Sequence, residues 1–199
     1  MTVRTARALL MLGAFLAGLV LLTALAFIIT GRTPAPLPSA SQAVGGPFEL
    51  VSHEGKPVTE QNFKGKPFLV FFGFTHCPDV CPTTLFEISQ VLKVLGDDAD
   101  RIGVLFVTVD PERDTPELMR TYLSSFDPHI IGATGSEAAL DRMEKTYRAY
   151  SKRIPLKDGG YTMDHSAIVY LMDREGKFVA PFKMDQPPEK AAELLRKYI

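Results

Sequence analysis

The chain has 199 residues, 46% of them hydrophobic and 23% charged, an ordinary globular composition with room for one domain. The formal net charge of −1 hides an asymmetry: every Asp and Glu lies at or after Glu49, and from residue 33 onward 19 basic residues face 23 acidic ones. A basic nucleic-acid face is not evident in that balance, so no nucleic-acid partner is expected.

Ala8 to Ile29 is a run of 22 uncharged residues, long enough to cross about 30 Å of hydrocarbon. Arg4 and Arg7 precede it and only Arg32 follows closely, which keeps residues 1–7 in the cytoplasm. The expectation is a transmembrane anchor over 8–29 in the inner (cytoplasmic) membrane, with the remainder in the periplasm or an equivalent space. The rival is a cleaved signal peptide. Its apolar region is shorter, about 7–15 residues, with cleavage close behind, whereas Ser41-Gln42-Ala43 lies far past the run. Residues 30–47 are rich in Pro, Ser, Ala and Gly and read as a semi-extended tether to a domain over 48–199.

Phe48 to Val51 alternates like a short strand and is followed by a turn over residues 53–57, with His53 an exposed loop residue. From Phe68 the chain is apolar through Phe74 apart from Gly73, the profile of a strand buried on both faces. A helix after Cys81 carries Leu85, Ile88, Val91, Leu92 and Leu95 on one face and stops before Gly96. Gly103 to Val109 is a second buried strand, which makes a right-handed parallel crossover. Thr115 caps a helix with Pro116 at its first position, burying Leu118, Met119, Tyr122, Leu123 and Phe126. Ile130-Ile131 is a short strand. Ser136 caps a helix with Leu140, Met143, Tyr147 and Tyr150 along one face. An excursion about Asp158-Gly159-Gly160 reads as a hairpin. A second hairpin joins Ala167–Met172 to Lys177–Phe182, and a helix over Pro187–Ile199 turns Ala191, Leu194, Leu195 and Tyr198 inward. The order predicts an α/β fold, a mixed sheet covered by helices in a thioredoxin-like arrangement.

Cys77 and Cys81, the only cysteines, lie between the first core strand and its helix. The spacing puts them one helical turn apart, so both thiols can face one side. The positive end of the helix dipole favours thiolate there, predicting two low-pKa thiols that form a disulfide or grip a soft metal. A purely structural bridge closing three residues gains little. Cys77 and Asp110 leave the carboxyl ends of parallel strands, where ligands bind in such sheets. His165, at the start of the antiparallel Ala167–Met172 strand, returns to the same edge. An imidazole brought to two thiolates makes a Cys2His set suited to copper or zinc.

Three blocks, GFTHCPDVCPTTL (Gly73–Leu85), VTVDPERDTPE (Val107–Glu117) and DHSAIVYLMD (Asp164–Asp173), resemble the signatures of the Sco/SenC family. These are membrane-anchored, thioredoxin-like copper proteins that help assemble cytochrome c oxidase. The resemblance covers about residues 48–199. It implies copper as the metal, one per chain, with Cys77, Cys81 and His165 as ligands and Asp79 and Asp110 behind them or facing a partner. It implies delivery to the binuclear copper centre of oxidase subunit II, after loading from an upstream copper donor. Such a chain is a metallochaperone rather than a turnover enzyme. The alternative is a thiol–disulfide oxidoreductase that keeps the oxidase cysteines reduced, and a peroxidase-like enzyme is a weaker third reading. Thiolates hold Cu(I), imidazole suits both copper oxidation states, and three ligands leave a position open for transfer. His76 and His129 read as loop residues, and Met163 as packing rather than a thioether ligand.

Overall fold

The computed structural model describes residues 3–30, 44–157 and 159–199. It divides into two units, Met1–Gln42 and Ala43–Ile199. In the first, Val3–Thr30 is one helix of 28 residues, α1, where a helical anchor was expected. Its side chains are described only at residue 11 and residues 13–25, short of the roughly 20 residues a span needs. Among the described residues, no helix is long and apolar enough to cross a membrane. Most of the expected tether, and Ser41-Gln42-Ala43, lie outside the described residues.

The second unit opens with β1 (Glu49–Ser52) and β2 (Pro57–Thr59), an antiparallel hairpin closed by the turn at residues 53–55. Then come β3 (Phe68–Gly73), α2 (Val80–Leu95), β4 (Gly103–Thr108), α3 (Pro116–Leu123), β5 (Ile130–Thr134) and α4 (Glu137–Tyr147). After them run β6 (Ser151–Pro155), β7 (Tyr161–His165), β8 (Val169–Met172), β9 (Phe178–Pro181) and α5 (Pro188–Arg196). The main sheet has the order β2-β1-β5-β4-β3-β8-β9, while β6 and β7 form a separate two-stranded sheet. Strands β3, β4 and β5 are parallel, and β8 pairs antiparallel with β3. This is the expected thioredoxin-like mixed sheet.

Every residue of β3 and β4 is buried because helices cover both faces. Phe71, Gly73, Phe106 and Gly132 share one face by register. There Cys81 of α2 lies against Gly73, and Leu123 and Met119 of α3 against Gly132. On the other face Tyr147 of α4 meets Phe72, ring centroids 5.8 Å apart. Burying each of Phe71, Phe72 and Phe106 contributes about 1.5–3 kcal/mol. Helix α5 packs on α2, and α2 ends at Gly96, whose φ of 60° needs no Cβ relief.

Several expectations change. Neither β2 nor the 3-10 turn Glu60–Phe63 was predicted, although Thr59 and Asn62 form a reciprocal capping box there. Leu118 and Tyr150 are exposed, not core: Leu118 sits on the solvent side of α3, and Tyr150 lies beyond the end of α4. His53 is not a free loop residue, because its Nδ1 accepts the Gly132 N–H at 3.0 Å. Asp158, at the predicted hairpin turn, is outside the described residues, but the hairpin itself is present.

His129 lies in a loop, as read, yet it is bridged. Its Nδ1 is 2.7 Å from Asp127 Oδ1 and its Nε2 is 3.0 Å from Asp100 Oδ1. The bond to Asp127, then that to Asp100, raises its pKa above the usual histidine value. A raised folded pKa contributes stability that is complete below the unfolded value, about 6.5, and is lost as pH rises through the folded one. Chemical denaturation at pH 6 and pH 9 should therefore show His129→Gln losing its deficit at the higher pH. The difference should be no more than about 1 kcal/mol, as for other largely solvated ion pairs. Equal deficits at both pH values would refute the linkage.

Candidate metal centre

The site begins where β3 runs out. Phe74 stays buried, and Cys77 turns back so that its N–H donates to the Phe74 carbonyl at 3.3 Å. Helix α2 starts only at Val80, so Cys77 precedes it while Cys81 lies in its first turn. Asp79 holds the N-cap position, but its side chain caps nothing. The Cys81 N–H donates instead to Cys77 Sγ at 3.4 Å, so a sulfur takes up one of the unpaired amides at the helix start. The two thiols do face one side.

Cys81 departs from the expectation of two acidic thiols. Cys81 is fully buried. Burial pushes its pKa well above the normal thiol value, and this outweighs the lowering by a Phe74 backbone hydrogen bond. At Cys81 burial therefore opposes the helix dipole and favours the thiol. Its sulfur occupies space opened by Gly73, where an added Cβ would lie 2.8 Å from it.

His165 closes β7 rather than opening β8. The Ser166 N–H donates to the Tyr150 carbonyl at 2.9 Å and the Tyr150 N–H to Ser166 Oγ at 3.0 Å, which pins the chain just past the ligand. His165 Nδ1 lies 3.1 Å from the Ser166 carbonyl. A carbonyl only accepts, so with Nδ1 donating to it the Nε2 lone pair faces the sulfurs. Nε2 stands 3.4 Å from Cys81 Sγ. The rings of Phe74 and Phe71 meet the imidazole edgewise, with centroids 5.7 and 6.3 Å away. Donor atoms of Cys77, Cys81 and His165 all lie within 4.8 Å of one another. Two metal–sulfur bonds end to end reach about 4.6 Å, so a shared ion requires little closure. Two soft sulfurs and an imidazole nitrogen in an apolar shell fit Cu(I) or zinc by donor chemistry.

The other predicted residues stand apart from the donors. Asp79 is exposed at the mouth of the site. Asp110 is buried and binds Arg113 Nε and, at 2.8 Å, the Tyr161 hydroxyl. His76 is exposed and directed at Thr75, 3.0 Å away. Met163 packs against the core, as read. Sequence reasoning missed Asp114, which is wholly buried. It accepts the Thr75 N–H at 3.0 Å and the hydroxyls of Thr75 and Thr108, each at 2.6 Å. These bonds tie the cysteine loop to the loop after β4. The signal lay in the second aspartate of DPERD, inside a block singled out only for its Asp110.

Comparison with known proteins places this geometry. The SCO1/SenC family model matches residues 37–199. The chain is 40% identical over 159 residues to Protein sco1 of Schizosaccharomyces pombe, covering 78% of this chain and 60% of that one. It is also 40% identical over 163 residues to mitochondrial Protein SCO2 of Saccharomyces cerevisiae, covering 80% and 54%. It thus spans between half and two thirds of the length of these two relatives. The structure of Bradyrhizobium japonicum ScoI with copper bound aligns with a TM-score of 0.77 and 57% identity, covering 79% of this chain and 100% of that one. By the span of the family match and by these identities, the chain belongs to the SCO1/SenC family.

Proposed function

We propose that this chain carries copper on Cys77, Cys81 and His165 and delivers it to the binuclear copper centre of cytochrome c oxidase subunit II. The convergence of these three donors within 4.8 Å is the observation that carries the reading. Copper is cargo here, so the task is to hold it with few ligands and release it to a better site. Two thiolates and one imidazole leave a coordination position for an incoming ligand, which suits ligand exchange. The copper-bound relative from Bradyrhizobium japonicum favours copper over zinc. Asp79, exposed beside the site, is suited to meet a partner.

The reading includes the N-terminal anchor, supported by the helical state of Val3–Thr30 and by the large apolar side chains it exposes, such as Phe15 and Leu21. The domain would then stand in the periplasm, tethered to the inner membrane beside its target and its copper donor. Full-length protein extracted from the membrane fraction tests both parts at once. It is expected to retain its own first residues and, after reduction, to take up one copper per chain. A mature start near Val44 overturns the anchor, and failure to bind copper overturns the carrier. The proximity of the two sulfurs also suits a thiol–disulfide reductase of the oxidase cysteines, a role that has no need of His165.

A further inference from the structure

His165 is carried by a hairpin outside the main sheet: β6 and β7 pair only with each other. The strand therefore needs another hold, and Tyr161, four residues before His165, provides one. Two guanidiniums stack on its ring, with the Arg113 Cζ 3.9 Å and the Arg153 Cζ 4.0 Å from the ring centroid. The Tyr161 hydroxyl donates to buried Asp110 at 2.8 Å, and Arg113 Nη1 donates to the Tyr161 carbonyl at 3.1 Å. Arg153, across the hairpin, pairs with Glu112 on the loop after β4. Arg113 also approaches the Phe74 ring, 5.9 Å from its centroid, and Phe74 packs edge-on against the His165 imidazole.

Arg113 Nη2 is buried and has no hydrogen-bond partner among the described residues. A buried N–H left unmet is costly. The guanidinium is held where it stacks rather than where it could satisfy every donor. The same loop that supplies Asp110, Glu112 and Arg113 thus grips the strand ending in the third ligand.

We propose that Tyr161 is a positioning residue, and that its clasp by Arg113, Arg153 and Asp110 sets whether His165 reaches the two sulfurs. This rests on the copper reading above. With the clasp closed the site offers two sulfurs and a nitrogen; with it open, only the sulfurs. Cu(I) is held by two thiolates alone, whereas Cu(II) draws on the imidazole. The clasp would therefore tune the preference between oxidation states without touching the metal.

The test loads the full-length reduced chain separately with Cu(I) and Cu(II). It compares wild type, Tyr161→Leu, Tyr161→Phe, Arg153→Ala and His165→Ala. Tyr161→Leu should weaken Cu(II) about 10- to 100-fold, the usual loss when support behind a ligand is removed. Its Cu(II) absorption spectrum should move toward that of His165→Ala, with Cu(I) affinity unchanged. Tyr161→Phe keeps both stacked cations and loses only the Asp110 bond, so its loss should be smaller and in the same direction. Arg153 is largely exposed, so Arg153→Ala removes half the stack without disturbing the core. If Tyr161→Leu does not fold, the other two variants decide on the same readout. Equal loss of Cu(I) and Cu(II) would mean a merely structural role and overturn the proposal. So would wild-type Cu(II) binding in the clasp variants while His165→Ala loses it. Unchanged Cu(II) binding in His165→Ala would instead overturn the ligand assignment beneath it.

Discussion

Cys77→Ser is expected to abolish tight copper binding while leaving the fold close to wild-type stability; Cys81→Ser is expected to lose both. A hydroxyl is a poor ligand for a soft ion. The cost in copper affinity should exceed the roughly 100-fold at the top of the range for residues standing behind a ligand. Stability separates the two variants. Cys77 is half-buried in a turn, where a serine hydroxyl can be solvated. Cys81 is fully buried against Gly73 and Phe106, where a hydroxyl without a good partner costs about 1–3 kcal/mol. Copper titration with a competing chelator, beside thermal unfolding of the metal-free forms, checks both halves. Stoichiometric tight binding by Cys77→Ser would remove it from the site.

The second expectation separates a carrier from a reductase. A strain with His165→Ala should assemble an oxidase depleted of copper at its binuclear centre, although Cys77 and Cys81 can still cycle between thiols and disulfide. Two sulfurs within 4.8 Å of each other need only a modest approach to bond, so the substitution leaves that chemistry in place. Added copper should restore part of the activity, because mass action then substitutes for a weakened site. Oxidase activity and copper content in this one mutant are the measurements. Full activity without added copper would make reduction of the oxidase thiols the better account.

The core strands, the crossover and the caps at Thr115 and Ser136 were legible because local chemistry dictates them: apolar runs, a Pro at the first helical position, hydroxyls at the caps. So was the meeting of Cys77, Cys81 and His165, since the chain leading into β8 returns to the edge where β3 ends, although His165 itself closes β7. Two things were not. The acidity of the thiols was inferred from the helix dipole, but Cys81 lies under Gly73, and no sequence spacing reports how deeply a sulfur is buried. The polar groups around the loops, Asp114 with Thr75 and Tyr161 with Asp110, join residues 39 and 51 positions apart. Single Thr, Asp and Tyr residues in loops give no periodic signal. Their pairing becomes visible only once the sheet has set the distance between loops.

The unequal burial of the two sulfurs gives the site a front and a back. Cys81, at 0% exposure, is walled off by its own helix and the sheet, whereas Cys77 and His165 are partly open. A thiolate arriving from another protein would approach from the side of Cys77 and His165, not from behind Cys81. On the carrier reading, Cys77 and His165 would be the ligands within its reach, and Cys81 would hold the ion from behind. Loading would use the same open side. On the carrier reading, donor and acceptor would then meet the site on the same face and compete for it.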